Sequence, residues 1–103
     1  MTVILYIDTS AINTAKIAVE IDGKRYQKTS ESKVLKSQMV LPMIEEILTE
    51  HTLKITDISA ITVFTGPGSF TGRRVGATVA NALGYLLDVP VNGKKALVLP
   101  VYS

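Results

Sequence analysis

Three short stretches with strand-like patterns occupy the first third of the chain. Val3–Ile7 is a continuous apolar run, which predicts a strand covered on both of its faces. In Ala15–Ile21 apolar and polar residues alternate, so this stretch is predicted to be a half-buried strand. Asp22-Gly23 is a strong hairpin signal, and Lys24–Thr29 after it is predicted to be a third strand whose charges suit a sheet edge.

Helix-like and strand-like segments alternate in the rest of the chain. A stripe of apolar residues at helical spacing predicts a first helix that begins near Ser37–Val40, so that Pro42 falls in its first turn. Ala60–Thr65 is predicted to be a second buried strand, Phe70–Leu87 a second helix, and Val91-Asn92 the start of a fifth strand. The first stripe consists of Met39, Val40, Met43, Ile44, Ile47 and Leu48.

The order of these elements, β-β-β-α-β-α-β, defines the expected fold class. Three strands joined by hairpins precede strands that are reached through helical crossovers, and such crossovers place strands in parallel. We therefore predict an α/β fold, a mixed sheet with packed helices in the ribonuclease-H-like order. A length of 103 residues predicts a single domain.

Composition and charge exclude several classes of protein. A net charge of +2 is too small to indicate nucleic-acid binding. The chain has no cysteine and a single histidine, which argues against disulfides, thiolate chemistry and a histidine metal site. No apolar run reaches the ~20 residues that span a bilayer. We expect a soluble cytoplasmic protein without a metal site.

A glycine-rich segment, TGPGSFTGRRVG, covers Thr65–Gly76 and is the most distinctive stretch of the chain. It lacks the lysine of a nucleotide-binding P-loop, and Thr71 stands where a dinucleotide fingerprint needs its third glycine. Around Ser69 the glycines of a nucleophile elbow are missing as well.

A weaker anion or nucleotide site is compatible with this segment. It joins a strand end to the start of a helix, where free amides favour anions, and a second strand ends at Asp8. Such a site could place a magnesium-bound water on Asp8, although a turn role for Asp8 is the favoured interpretation. The candidate residues are Asp8, Thr9, Ser10, Gly68 and Ser69.

Small residues recur every four positions along the second helix, at Gly72, Gly76, Ala80 and Gly84. A glycine inside a helix costs about 0.5–1 kcal/mol relative to alanine, so close approach by another element is expected to offset this cost. That element could be a helix of another subunit or the protein's own sheet. A second apolar line runs beside this ridge along Val75, Val79, Leu83 and Leu86.

The motifs resemble those of the TsaB (YeaZ) family, in matching order and spacing over nearly the whole chain. They are Ile7-Asp8-Thr9-Ser10, Leu41-Pro42-Met43-Ile44, and Gly66-Pro67-Gly68-Ser69-Phe70-Thr71-Gly72 with Arg74 and Gly76 after it. The resemblance implies an actin/Hsp70-type (ASKHA) fold of two ribonuclease-H-like lobes, of which residues 1–103 correspond to the N-terminal lobe without the second lobe.

The resemblance also implies a function. TsaB-like proteins are non-catalytic partners of TsaD, which carries the active site. With TsaE and ATP hydrolysis, the complex transfers a threonylcarbamoyl group from threonylcarbamoyl-AMP to N6 of an adenosine beside the tRNA anticodon. We therefore expect this chain to need no cofactor, the complex to use ATP and magnesium, and tRNA to be contacted only indirectly.

In such proteins the two helices of the N-terminal lobe pack against their counterparts on TsaD, and homodimers form by related surfaces. The resemblance and the small-residue ridge together predict a partner interface made of Met39, Met43, Gly72, Arg73, Arg74, Val75, Gly76, Val79, Ala80 and Leu83. On this hypothesis Gly76→Leu should abolish partner binding and leave the domain folded. Two alternatives stay open, a small nucleotide-binding ATPase and a homodimeric assembly module.

The sequence departs from the family pattern in three places. The chain stops at Ser103, whereas family members continue through a second lobe. Lys36-Ser37-Gln38 stands where the family usually has His-Ser-Glu, so contacts of that histidine or acid do not transfer. Arg73 replaces an apolar residue, and this added cation bears on partner choice.

Overall fold

A four-stranded mixed sheet forms the centre of the fold. The computed structural model of the chain describes residues 1–9, 14–31, 39–64 and 70–94, with the backbone alone in residues 70–73. The strands lie in the order β3-β2-β1-β4, with β1 antiparallel to β2 and parallel to β4. Their bounds are β1 Val3–Asp8, β2 Thr14–Ile21, β3 Lys24–Glu31 and β4 Ala60–Val63.

The predicted hairpin between β2 and β3 is confirmed. Asp22 and Gly23 both have left-handed backbone angles, with φ of 49° and 90°, as a two-residue hairpin turn requires. Asp22 Oδ1 also accepts a hydrogen bond of 2.9 Å from the backbone N–H of Thr2. The turn therefore sets the register in which Ile21 is paired with Lys24.

Two α-helices pack on the same face of the sheet. Helix α1 spans Val40–Glu50 and contacts β2 and β3, and helix α2 spans Phe70–Leu87 and contacts β1 and β4. Helix α1 begins where the sequence predicted, and Pro42 lies in its first turn, where a missing N–H breaks no intrahelical bond. No helix in the described ranges is both long and apolar enough to cross a membrane.

The end of α1 is closed by hydrogen bonds to its last free carbonyl groups. The backbone N–H groups of His51 and Leu53 both donate to the carbonyl oxygen of Leu48, at 3.1 and 2.8 Å. Thr52 between them takes a left-handed conformation with φ of 58°, a position that glycine usually fills. This closure directs the chain through a 3₁₀ turn, Ile55–Asp57, into β4.

The core lies between the helices and one face of the sheet. Val3, Leu5 and Ile7 of β1 point into it and are at most 1% exposed. Ile4, Tyr6 and Asp8 point to the opposite face and are only half-buried. The prediction that this first strand is covered on both faces is therefore wrong for the described part of the chain, because both helices lie on the same side.

In place of the predicted fifth strand, the described residues show a single parallel bridge between Val91 and Ile61 of β4. The backbone N–H of Ile61 donates to Pro90, and that of Asn92 donates to Ile61. After Asn92 the chain turns away from β4, because Val91 and Lys94 bond to each other across a tight turn.

Candidate functional site

The small-residue ridge of α2 faces the chain's own sheet. A side-chain carbon at Gly76 would lie 2.7 Å from Thr9 Oγ1 and 3.3 Å from Val63 Cγ2, so only glycine fits there without a shift. Ala80, one turn further on, is fully buried. The hypothesis that this part of the ridge contacts another subunit is wrong, because β1 and β4 already cover it.

Gly84, the last small residue of the ridge, packs against Val89 and Val91 near the end of the described chain. A side chain there would collide with Val91 Cγ2 and crowd the carbonyl oxygen of Val89. The absence of side chains at Gly76 and Gly84 lets α2 lie close to the sheet and to Val91. This packing within the lobe offsets the low helix propensity of the two glycines. The surroundings of Gly72 lie outside the described residues.

Most of the remaining residues predicted for the partner interface are also buried or half-buried. Leu83 and Met43 are buried in the core, at 6% and 8% exposed. Met39, Val75 and Val79 are half-buried and pack against it. The side chain of Arg73 lies outside the described part. Arg74 is exposed, so it remains a candidate interface residue.

The outer face of α2 carries two large apolar side chains that nothing in the described chain covers. Tyr85 is 85% exposed and Leu86 is 75% exposed. Leu86 belongs to the second apolar line noted in the sequence, whereas Tyr85 was missed because its neighbours at helical spacing, Thr78 and Ala82, are not strongly apolar. We define the outer face of α2 as Arg74, Thr78, Ala82, Tyr85 and Leu86.

Helix α1 adds an exposed apolar cleft of about 400 Å³. Leu41, from the family-like motif, is 49% exposed beside it, and Ile55 is 40% exposed. Glu45 and Lys54 contribute charged side chains to the lining of this cleft. The full lining is Leu41, Ile44, Glu45, Leu48, Thr49, Leu53, Lys54 and Ile55.

The uncovered face of the sheet carries a wider groove of about 640 Å³. Arg25 lies over the ring of Tyr6, with the guanidinium carbon 4.4 Å from the ring centre. Asp8 and Lys16 also line this groove, and Phe64 at its edge is 41% exposed. The groove thus combines charged side chains with two aromatic rings.

Only Asp8 and Thr9 of the candidate anion site lie within the described residues, and they face opposite sides of the sheet. Asp8 lines the groove on the uncovered face, whereas Thr9 is 1% exposed and its hydroxyl faces Gly76 on the helix side. Ser10, Gly68 and Ser69 lie outside the described residues. Among the residues that are described, no group of three or more His, Cys, Asp or Glu side chains could hold a metal ion.

An ionic cluster ties α1 to the edge strand β3. Lys28 Nζ lies 3.0 Å from Glu46 Oε1 and also pairs with Glu50. The hydrogen bonds that Lys28 donates to Glu50 and Glu46 raise its pKa above the ordinary value of 10.5. The rings of Tyr26 and His51 contact each other near this cluster, with centres 4.2 Å apart and planes tilted by 46°. The ionic and ring contacts together hold α1 on the sheet.

Comparison with known proteins gives consistent matches over most of the chain. The family model described as "TsaD: tRNA N6-adenosine threonylcarbamoyltransferase" matches residues 31–98. Two relatives named "tRNA threonylcarbamoyladenosine biosynthesis protein TsaB" are similar in sequence. The Haemophilus influenzae protein is 35% identical over 85% of this chain, and the Escherichia coli protein is 36% identical over 91%. The chain spans 37% and 40% of the lengths of these two proteins.

The solved structure of YeaZ from Pseudomonas aeruginosa has a similar fold. It superimposes with a TM-score of 0.82 at 31% sequence identity, covering 88% of this chain and 42% of the YeaZ chain. This likeness and the strand order together define a ribonuclease-H-like lobe of the actin/Hsp70 class, which confirms the predicted fold. The chain belongs to the family that the matched model describes, and within it to the TsaB (YeaZ) proteins.

Proposed function

We propose that this chain is a non-catalytic accessory lobe in the synthesis of threonylcarbamoyladenosine in tRNA. It docks onto a TsaD-type catalytic subunit through the outer face of α2 and the neighbouring exposed side chains of α1. The names of its relatives support the pathway, and the match to a transferase family model supports a partner with a related lobe. Two related lobes present related surfaces, so a pseudo-symmetric pairing of helix pairs is the simplest contact.

The exposure of Tyr85 and Leu86 is the observation that carries this proposal. Adjacent apolar side chains that water surrounds almost completely are typical of an interaction surface. Burying a leucine or aromatic side chain contributes about 1.5–3 kcal/mol, so these two residues would supply much of the docking energy. Arg74 on α2 and Glu45 on α1 are both exposed and add one charge of each sign to the two helices.

The catalytic partner carries out the chemistry. This chain holds the catalytic subunit in its working shape and binds no cofactor, and ATP and magnesium are used elsewhere in the complex. A TsaE-type ATPase and tRNA meet the chain only through that complex. Homodimers would use the same helix surface and would therefore compete with the TsaD-type subunit.

Leu86→Glu tests the docking surface. The side chain is largely exposed, so the substitution should leave the melting temperature unchanged and weaken binding to the TsaD-type subunit of the same organism by at least about tenfold. Isothermal titration calorimetry measures the affinity, and thermal unfolding of the chain alone checks its fold.

Phe64→Glu is the matched control, because Phe64 is an exposed apolar residue on the opposite side of the sheet. It should bind the catalytic subunit like the unmodified chain. If Phe64→Glu lost binding and Leu86→Glu kept it, the groove of the uncovered sheet face would be the docking surface instead. If the unmodified chain showed no binding, the accessory role itself would be wrong.

A further inference from the structure

Asn92 sits in a tight turn beside the outer edge of β4. Asn92 and Gly93 have φ of 51° and 78°, both left-handed. The backbone N–H of Val91 donates to the Lys94 carbonyl oxygen at 2.7 Å, and Lys94 donates back to Val91 at 3.0 Å. These values describe a two-residue Asn-Gly turn, which carries the main chain away from β4.

The side chain of Asn92 takes the place that a strand peptide would occupy next to Val63. Its Nδ2 donates to the Val63 carbonyl oxygen at 3.0 Å, and its Oδ1 accepts from the Val63 backbone N–H at 2.8 Å. A carboxamide offers one donor and one acceptor, as a peptide group does. An ionised aspartate offers only acceptors, so it cannot bond the carbonyl oxygen.

Asparagine followed by glycine has a well-defined covalent reaction. The backbone nitrogen of Gly93 forms a bond to Asn92 Cγ, the Cγ–Nδ2 bond breaks, and Nδ2 leaves as ammonia with the proton of the Gly93 amide. Water then opens the resulting succinimide ring to aspartate or isoaspartate. Gly93 has no side chain to hinder the attack, and Asn92 is exposed, so water reaches the ring.

In the folded chain the same carboxamide is held on Val63 by both of its polar atoms. Cγ reaches the Gly93 nitrogen in attack geometry only after both bonds to Val63 have opened. The reaction rate is therefore set by how often this sheet edge opens, as in other exchange processes that proceed through local opening.

We propose that Asn92 is a deamidation site gated by its hydrogen bonds to Val63, and that its deamidation releases the end of β4. The new carboxylate faces the Val63 carbonyl oxygen, and this acceptor loses its donor. Val63 is the last residue of β4, so the modification loosens the strand end from which the chain continues towards α2.

The reaction is tested by incubating the 103-residue chain at mildly alkaline pH, folded and in urea. Peptide mapping by mass spectrometry then measures aspartate and isoaspartate at position 92. We expect deamidation at least roughly tenfold slower in the folded chain than in urea, because two hydrogen bonds must open first. Asn81, which precedes Ala82, is the internal control and should stay intact in both samples. Equal rates at Asn92 in both samples would overturn the gating.

Two substitutions, one in the Asn92-Gly93 turn and one in the Asp22-Gly23 turn, test the consequence. Asn92→Asp should lower the melting temperature by about 5 °C or more and speed hydrogen exchange at the Val63 amide. Asp22→Asn is the matched control, because Thr2 N–H needs only an acceptor, which the amide keeps. A melting temperature and a Val63 exchange rate that Asn92→Asp leaves unchanged would refute the release of β4. Should Asn92→Asp prove too unstable to purify, mixtures of modified and unmodified chain from the incubation supply the same exchange measurement.

Discussion

At the scale of single residues, Gly76 sets how closely α2 can approach the sheet. The Thr9 hydroxyl and the Val63 methyl group occupy the space in which any side chain at position 76 would begin. Both neighbours are buried, so neither can move into solvent to make room. Glycine is therefore required here by the packing of the lobe itself, and its role in partner binding is at most indirect.

Gly76→Ala should destabilise the chain by about 1–3 kcal/mol, because overpacking outweighs the gain of about 1 kcal/mol in helix propensity. Urea unfolding followed by circular dichroism measures the change. Thr78→Ala, two residues along on the exposed side, is the control and should stay within about 0.5 kcal/mol of the unmodified chain. A stable Gly76→Ala variant would show that Thr9 gives way easily. Gly76→Leu should accordingly unfold the domain and not act selectively on partner binding.

At the scale of elements, β3 and α1 are joined by charge as well as by apolar contact. Lys28 reaches across to Glu46 and Glu50, one helical turn apart on α1. The hydrogen bonds that Lys28 donates to these two carboxylates raise its pKa, so Lys28 holds its proton more tightly in the folded chain than in the unfolded one. This stabilisation is complete below the unfolded pKa of about 10.5 and is lost as the pH rises through the higher folded pKa.

Lys28→Met should lower the melting temperature at pH 7 to 9, and the difference from the unmodified chain should shrink as the pH rises above 10.5. High salt should shrink it as well, because exposed ion pairs are screened. Lys24→Met is the control, since Lys24 is exposed on the same strand and no ion pair is found for it among the described residues. A difference that is the same at every pH would mean that the methylene groups of Lys28 matter and its charge does not.

At the scale of the whole molecule, the sheet buries one face of β1, β2 and β4 in the core. Both helices pack on the same side, and the opposite side presents the groove around Tyr6 and Arg25. Neighbouring residues of β4 therefore have opposite environments. Ile61 is 1% exposed in the core, and Thr62 next to it is exposed in the groove.

Ile61→Ala should cost about 2–5 kcal/mol of unfolding free energy, because it leaves a cavity in the core beneath α2. Thr62→Ala should change stability by less than about 0.5 kcal/mol. Chemical denaturation of the two variants in parallel measures both values. A large loss for Thr62→Ala would show that the second face is also packed in solution.

The sequence was enough to predict the elements and their order. Alternation in Ala15–Ile21, the Asp22-Gly23 turn, and the helical stripe from Met39 onwards each depend on local geometry, and each prediction is confirmed. The left-handed Asp-Gly pair fixes a hairpin whatever surrounds it, and a proline near the start of α1 marks the first turn. The family resemblance depended on contiguous sequence motifs, which are visible without the tertiary structure, and it is also confirmed.

The direction in which each helix face points could not be predicted from spacing alone. The period of Gly76, Ala80 and Gly84 showed that something approaches closely, and only the folded chain showed that Thr9, Val63 and Val91 do so. Likewise, Tyr85 looked unremarkable in sequence, because exposure depends on what covers a residue. Local sequence thus determined which elements form. Their packing on one another, a sum of contacts between residues distant in the chain, decided which surface remains for a partner.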